Sequence, residues 1–303
     1  MNKYTEYLTY IAAGLRQDAA DLPRVQRLMD ELTWQLRRFR REIPGEEWKK
    51  FVAIAREHEL RSLVHQDPFT NWSFTRPRGY AGDASLLDFI YGEPESAEEV
   101  TSATRLGKSI YARNRNVPSC RAVRFRRSLL SKRLNNFSGR VLSVACGHLR
   151  ELRNVDMSSD LSLIAFDQDT RSLAEVKRTL PGKNVQTHEG NIRQIIAGKF
   201  KEDSFDFIYA AGLYDYLSDS LAQRLTEILF SKLSPKGRLL FANFTHDTED
   251  IGYMEVYKDW WLLFRDEADM LAIASSIPRD QVGDVTLSRD PDRHLVFIDI
   301  QRR

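Results

Sequence analysis

From residue 139 onward, short runs of β-branched and aromatic residues alternate with helical stretches, and this alternation constrains the fold more than any other feature of the sequence. The runs are RVLSVA, LSLIAF, NVQTH, FDFIYA, RLLFANF, DVTLS and HLVFIDIQ. Stretches such as TRSLAEVKRTL and LSDSLAQRLTEILFSKL lie between the earlier runs. Strands that alternate with helices form mostly parallel sheets covered on both faces. We therefore predict an α/β fold for this part of the chain.

The first part of the chain has helical periodicity instead. Apolar residues recur at helical spacing in two successive segments: Tyr4, Tyr7, Leu8, Ile11 and Leu15, then Val25, Leu28, Met29, Leu32, Leu36 and Phe39. The basic helix CRAVRFRRSLLSKRL precedes the first strand. The sequence thus predicts an all-helical domain over residues 1–135 and a sheet domain over residues 136–303.

Between the N-terminal helices lies HQDPFTNWSFTRPRGYAGDASLL, which is rich in Gly, Pro and aromatic residues and has no helical period. Loops of this length in compact proteins are usually functional. Asp83 is placed to cap a short helix that Gly92 would end. Ser96 and Glu99 have the spacing of a capping box before the next helix.

Composition favours a globular protein without a membrane span. Of the 303 residues 42% are hydrophobic, yet no apolar stretch approaches the roughly 18 residues of a membrane helix. The N-terminus has no hydrophobic block of the secretory kind, and the two cysteines, Cys120 and Cys146, make no disulfide framework. The sequence predicts a cytoplasmic protein. It also predicts no metal site, because two Cys and six His show no zinc-binding spacing.

The net charge of +2 conceals a basic block. Residues 101–150 contain twelve Lys or Arg and no Asp or Glu. Such a block can bind nucleic acid or an acidic carrier protein. The absence of a nucleic-acid motif favours a solvated helix face with a few Arg that meet anionic ligand groups.

A glycine-poor turn follows the first predicted strand. Ligands of open α/β sheets bind at the carboxyl ends of the strands, where Gly147 lies and where Asp167, twenty residues later, directly follows the second strand. A carboxylate at this spacing accepts hydrogen bonds from ribose hydroxyls. Ala145 and Leu149 stand where a dinucleotide loop would have glycine, which disfavours a nicotinamide cofactor. S-adenosylmethionine (SAM) carries adenosine without phosphates, so the turn favours SAM.

These segments resemble the class I SAM-dependent methyltransferases over residues 136–303. The resemblance rests on VLSVACG, IAFDQD, HEGNIRQ, FDFIYAAGLYDYL and LSPKGRLLFANF. It implies a Rossmann-like, mostly parallel sheet whose last strand is antiparallel. It implies that the cofactor is bound by Ala145, Gly147, Asp167, Gln168, Asn191, Ile192 and Ala210. One loop arginine, Arg78, is expected to join these cofactor-binding residues by pairing with a carboxylate.

A narrower resemblance is carried by RPRGYAGD and GYMEVYKDWWLLFR. They are similar to segments of 3-hydroxy fatty acid methyl ester synthases and of azetidine-2-carboxylate synthases, which cyclise SAM. The composition of RPRGYAGD, in which Gly79, Gly82 and Pro77 surround the ring of Tyr80, predicts that this loop closes over bound SAM and that the helical domain acts as a lid. The residues expected to face the reacting groups are Tyr80, Tyr216, Asn243 and Trp260.

Three functions stay open from the sequence. The first is methyl transfer from SAM to a small-molecule or acyl carboxylate, which needs positioning more than a strong base because the acceptor is already ionised. The second is cyclisation of SAM to azetidine-2-carboxylate with release of methylthioadenosine. The third is a non-catalytic binding module that uses the basic block.

Overall fold

The computed structural model describes residues 2–19 and 21–303. The chain forms two compact units. The helical unit comprises Met1–Arg124 and Thr248–Trp261, and the sheet unit comprises Phe125–Asp247 and Leu262–Arg303. The structure differs from the predicted single boundary at residue 136 in two ways. The sheet unit begins earlier, within the basic helix, and the segment after the fifth strand belongs to the helical unit.

Among the helices before the sheet, the one between Asp83 and Gly92 begins and ends at the residues that the sequence indicates. Asp83 caps its helix by accepting a hydrogen bond from the Leu86 amide (3.0 Å), and Gly92 ends it at φ 70°, which confirms both predictions. The predicted capping box is wrong, because the Ser96 hydroxyl donates to backbone carbonyls that precede it. These helices are α1 (Asn2–Gln17), α2 (Leu22–Glu42), α3 (Gly45–Glu57), α4 (Leu60–Val64), α5 (Pro68–Thr75), α6 (Ala84–Tyr91), α7 (Ala97–Ser102), α8 (Arg105–Asn114) and α9 (Pro118–Leu134).

The segment predicted as one long loop contains α5, so its irregular parts are residues 65–67 and 76–83. Asp67 caps α5 by accepting a hydrogen bond from the Phe69 amide (3.0 Å). The buried residues of α5 are Phe69, Thr70 and Ser73. Two of these three are polar, which is why the apolar pattern does not reveal the helix.

The second part of the chain forms a seven-stranded sheet with strand order β3-β2-β1-β4-β5-β7-β6. Strand β7 is antiparallel to both neighbours, and the other pairings are parallel. The predicted Rossmann-like fold and all seven predicted strands are confirmed. The elements are β1 (Gly139–Val144), β2 (Leu161–Asp167), α10 (Thr170–Thr179), β3 (Val185–Glu189), α11 (Ile192–Ile196), β4 (Phe205–Ala210), α12 (Asp219–Ser231), β5 (Leu233–Phe244), α13 (Ile251–Tyr257), α14 (Glu267–Ala274), β6 (Val282–Arg289) and β7 (Leu295–Arg302).

Helix α13 is part of the core of the helical unit. At Gly252 a Cβ atom would lie 2.5 Å from the backbone carbonyl of Leu36, so only glycine lets α13 approach α2 this closely. The buried carboxylate of Glu255 accepts hydrogen bonds from Trp48 Nε1 (2.5 Å) and Arg40 Nε (2.7 Å). These contacts join residues about two hundred positions apart in the chain, and they fix the segment after β5 to the N-terminal helices.

Candidate active site

The strand order reverses direction at β1, which pairs with β2 on one side and with β4 on the other. In open α/β sheets such a reversal leaves a crevice at the carboxyl ends of the strands, where ligands bind. The turn after β1 and the residues that end β2 and β4 lie at this edge. The candidate site is therefore built from these three connections.

The turn after β1 has the backbone of a glycine-rich loop with little glycine. Ala145, Gly147 and Leu149 all have positive φ, of 54°, 56° and 52°. A left-handed conformation costs a residue with a side chain roughly 1–2 kcal/mol. Leu149 is anchored in the core at 1% exposure, whereas Ala145 is exposed. The local conformation thus fits the predicted nucleotide loop even where the sequence departs from glycine.

Asp167 joins this turn to the end of β2. One oxygen of its carboxylate accepts a hydrogen bond from the Gly147 amide (2.8 Å), and the other accepts one from the Asp169 amide (2.8 Å). Burial raises the pKa of the carboxyl above its ordinary value. Each oxygen of an ionised carboxylate has a second lone pair, so the group retains acceptor capacity for ribose hydroxyls. The structure shows that Asp167 organises the two loops, and its contact with the ribose stays a prediction.

Neighbouring residues of the predicted adenosine site also cap helices. Asp169 caps α10 by accepting a hydrogen bond from the Arg171 amide (2.9 Å), and Gln168 is exposed. Asn191 forms a capping box at the start of α11 with Gln194. Ile192, the next residue of the predicted adenine contact, is half-buried. Contacts of Gln168, Asn191 and Ile192 with the cofactor stay predictions.

The segment after β4 contributes to the core as well as to the crevice. Ala210, which ends β4, is buried. Tyr214 stacks on Phe241 with ring centroids 3.9 Å apart, and its hydroxyl bonds to Thr226 (2.8 Å), so it is a core residue. Tyr216 is 40% exposed, and its predicted contact with the substrate stays a prediction.

Asn243 has a structural role in the sheet unit, and its predicted catalytic role stays a prediction. Its Nδ2 donates to the carbonyls of Phe244 (2.9 Å) and Leu263 (2.7 Å), and its Oδ1 accepts from Arg265 Nη1 (2.8 Å). The residue is fully buried. Both polar atoms of the amide are thus engaged in holding the chain that follows β5.

Three of the predicted residues belong to the helical unit. Arg78 and Tyr80 are half-buried in the loop before α6, and Trp260 is buried. In the same unit Arg76 donates to the backbone and the carboxylate of Asp259. Arg76 therefore ties the loop to the segment after α13. The predicted contacts of Arg78, Tyr80 and Trp260 with cofactor or substrate stay predictions.

Two features of the crevice edge were missed from the sequence. Glu151, four residues after Gly147, accepts a hydrogen bond from the Tyr209 hydroxyl (2.7 Å), and burial raises the pKa of its carboxyl. Arg126 of α9 is buried and donates from Nη1 to the carbonyl of Ala211 (2.8 Å). The basic block indicated that this part of the chain carries functional arginines, but the sequence does not show which of them is buried.

Asp215 is a buried carboxyl group with a raised pKa. Its Oδ1 accepts a hydrogen bond from the Phe244 amide (2.6 Å), and burial raises the pKa from 3.8 to about 6 although Arg126 and Arg265 oppose the shift. Between about pH 4 and pH 6 the folded protein therefore holds a proton that the unfolded chain has released. The free energy of unfolding falls as the pH rises through this window, by on the order of 3 kcal/mol.

We expect Asp215→Asn to remove most of this pH dependence. Urea unfolding at several pH values between 4 and 7 measures it, with Asp160→Asn as the control because Asp160 is an exposed carboxylate of the same unit. An equal slope in wild type and Asp215→Asn would contradict the assignment.

Among the described residues, no group of three or more His, Cys, Asp or Glu side chains is arranged to hold a metal ion. Within the same described ranges, none of the helices combines the length and the apolar character that crossing a membrane requires.

Residues 141–237 match the family model described as a methyltransferase domain. This segment is thus similar to a methyltransferase domain, and the sheet that contains it has the class I, Rossmann-like fold. No curated protein sequence matches the chain.

Solved structures with a similar fold include a possible exported protein from Bordetella parapertussis, at 18% identity and a TM-score of 0.59, covering 72% of this chain and 79% of that one. The N-methyltransferase NodS from Bradyrhizobium japonicum, in complex with S-adenosylhomocysteine, has 15% identity and a TM-score of 0.44 over 62% of this chain and 89% of its own. A TehB-like SAM-dependent methyltransferase from Corynebacterium glutamicum has 13% identity and a TM-score of 0.41 over 59% and 88%.

Proposed function

We propose that this chain, whose residues 141–237 are similar to a methyltransferase domain, is a SAM-dependent methyltransferase that acts on a small-molecule or acyl carboxylate. The observation that carries the proposal is the pairing of the turn after β1 with Asp167 inside that domain. SAM supplies an electrophilic methyl group on its sulfonium when bound.

The residues of the crevice edge fit an adenosine-bearing ligand. Exposed Ala145 and the left-handed Gly147 hold backbone groups at the end of β1, where a methionyl chain would lie. Asp167 and Asn191 follow adjacent strands, as the two ends of an adenosine site require. Ala145 allows the backbone a less close approach than glycine would, which suits a ligand without phosphates.

A carboxylate acceptor suits a site that positions its substrate. The acceptor is ionised at neutral pH, so its oxygen is nucleophilic without removal of a proton. The chain then needs to orient the oxygen toward the methyl group and to exclude water. The buried carboxyls of Glu151 and Asp215 have pKa values raised by burial, and neither has to act as a base in this reaction.

The test is incubation of the full-length protein with SAM, with and without a panel of short and long aliphatic carboxylates, followed by mass analysis. S-adenosylhomocysteine formed only with a carboxylate, together with its methyl ester, supports the proposal. Methylthioadenosine formed without an acceptor, above spontaneous breakdown, would assign cyclisation instead. SAM that is bound but not converted with any acceptor class would point to a non-catalytic binding module.

The loop before α6 is proposed as a lid over the cofactor, with Arg78 and Tyr80 as its contacts. Gly79 and Gly82 have positive φ, 88° and 72°, and give the loop an unusual path. We expect Tyr80→Ala to reduce turnover at least tenfold while lowering the melting temperature little, because Tyr80 is only half-buried. Steady-state kinetics and thermal unfolding measure both, and Tyr80→Phe controls for the hydroxyl. Unchanged turnover in Tyr80→Ala would contradict the lid.

An acidic carrier protein stays the proposed partner of the basic block, in preference to nucleic acid.

A further inference from the structure

A small cavity lies between the second half of α9 and the sheet, at the end of β4. It is lined by Arg126 and Leu130 of α9, by residues 209–211 and 240–242, and by Phe297 of β7. It is partly open to solvent, and the space enclosed within it is small. Apart from Arg126 and the Tyr209 hydroxyl, its side chains are apolar. The cavity therefore presents one cation in apolar surroundings.

Arg126 is only 5% exposed, yet few of its donors are used. A guanidinium has five N–H donors. Within the described part of the chain, the hydrogen bond of this guanidinium is the one from Nη1 to the Ala211 carbonyl (2.8 Å). Asp215 and Glu151 act on Arg126 through space, but neither forms an ion pair with it in the structure. Burial removes most of the water around this cation, whereas its unused donors keep access to the open side of the cavity, where an anionic ligand group can pair with them.

The connection after β4 leaves space for the Arg126 guanidinium beside the cavity, because residue 212 is glycine. A Cβ atom at Gly212 would lie 3.2 Å from Arg126 Nη2 and 3.4 Å from Nη1. A side chain at position 212 would therefore press on the guanidinium. Gly212 lies directly after the Ala211 carbonyl that accepts the hydrogen bond from Nη1, so the connection after β4 holds the arginine from two sides.

We propose that Arg126 is the carboxylate-binding residue of the active site, and that the cavity beside it receives the ligand group that bears this carboxylate. The guanidinium would bind the carboxylate through two parallel N–H···O bonds, a geometry that lysine does not offer. The carboxylate has two sources, the methionyl end of SAM or the acceptor. This assignment rests on the proposed function, since it places the anion at the crevice of the methyltransferase domain.

The experiment uses the full-length protein and Arg126→Met, which removes the charge and keeps an unbranched apolar chain. Lys132→Met is the matched control, because Lys132 is an exposed cation of the same helix. Isothermal titration measures affinity for S-adenosylhomocysteine and for methylthioadenosine, which lacks the methionyl carboxylate. Titration with hexanoate and with uncharged hexanamide, in the presence of S-adenosylhomocysteine, measures the acceptor side.

If the carboxylate is that of SAM, Arg126→Met lowers the affinity for S-adenosylhomocysteine at least tenfold and changes the affinity for methylthioadenosine by less than twofold. If it is that of the acceptor, hexanoate binding falls at least tenfold, while hexanamide and both adenosyl ligands are unchanged. Arg126→Lys should recover part of either loss, and Gly212→Ala should produce a smaller loss of the same kind. Equal affinities of wild type and Arg126→Met for both S-adenosylhomocysteine and hexanoate would overturn the assignment.

Thermal unfolding distinguishes a binding role from a structural one. Arg126→Met loses one hydrogen bond, to the Ala211 carbonyl, so a purely binding role predicts a decrease in melting temperature of only about 2–4 °C. A larger decrease, with all affinities unchanged, would make Arg126 a structural residue and overturn the assignment. A wild type that does not bind S-adenosylhomocysteine would count against the proposed function. Hexanoate titrated alone would then decide the subsite: a loss confined to Arg126→Met supports it, and no binding by wild type overturns it.

Discussion

Replacement of Asp167 by alanine is expected to weaken the binding of S-adenosylhomocysteine at least tenfold. The carboxylate accepts hydrogen bonds from the Gly147 and Asp169 amides, and it is the predicted acceptor for the ribose. Hydrogen bonds to a charged group contribute about 1.5–3 kcal/mol each, and the loss of one such bond corresponds to a factor of ten or more. Alanine removes the contact with the ligand and also releases the turn that surrounds it. Isothermal titration measures the effect.

Two further variants separate these causes. Asp167→Asn keeps the shape and one acceptor oxygen but loses the charge, so we expect an intermediate affinity. Asp169→Ala removes only the cap of α10, which costs about 0.5–2 kcal/mol of stability and leaves affinity nearly unchanged. A folded Asp167→Ala protein that binds S-adenosylhomocysteine as tightly as wild type would exclude Asp167 from the site.

Expression of residues 136–303 alone is expected to give a protein without cooperative unfolding and without measurable affinity for S-adenosylhomocysteine. This shortened chain lacks α9, whose second half belongs to the sheet unit and supplies buried Leu130 and Leu134. It also lacks the helices that bury Tyr253, Val256 and Tyr257 of α13. Each large apolar side chain left exposed forgoes about 1.5–3 kcal/mol of burial free energy. Several such losses are comparable to the whole free energy of unfolding of a typical domain.

Thermal unfolding, near-ultraviolet circular dichroism and titration measure the result. The matched comparison is residues 118–303, which restores α9 but not the partners of α13. We expect this longer chain to regain part of the sheet packing and still to expose the α13 side chains to a hydrophobic dye. Cooperative unfolding and full affinity in residues 136–303 would contradict this expectation and show that the sheet domain is independent.

The candidate site was predictable only in part, for a physical reason that differs between its residues. Gly147 and Asp167 were recognisable because each directly follows a strand with a strong local pattern, and parallel strands bring their carboxyl ends together. Tyr214 follows β4 and Asn243 is the next-to-last residue of β5, but the structure engages them in packing and in the Arg265 network. Sequence position places a side chain at the edge of the sheet, whereas its partners decide whether it remains available to a ligand.

The sequence by itself determined the seven strands, the helices α10 and α12 between them and the mostly parallel sheet, because these follow from apolar periodicity within each element. The caps Asp83 and Gly92 likewise fixed the ends of α6. Only the tertiary structure decided that α13 belongs to the helical unit and that Arg126 is the buried arginine of the basic block. Both depend on contacts between residues far apart in the chain, as Glu255 with Trp48 and Arg126 with Ala211 show. Local periodicity carries no information about such partners, since they are selected by the packing of complete elements.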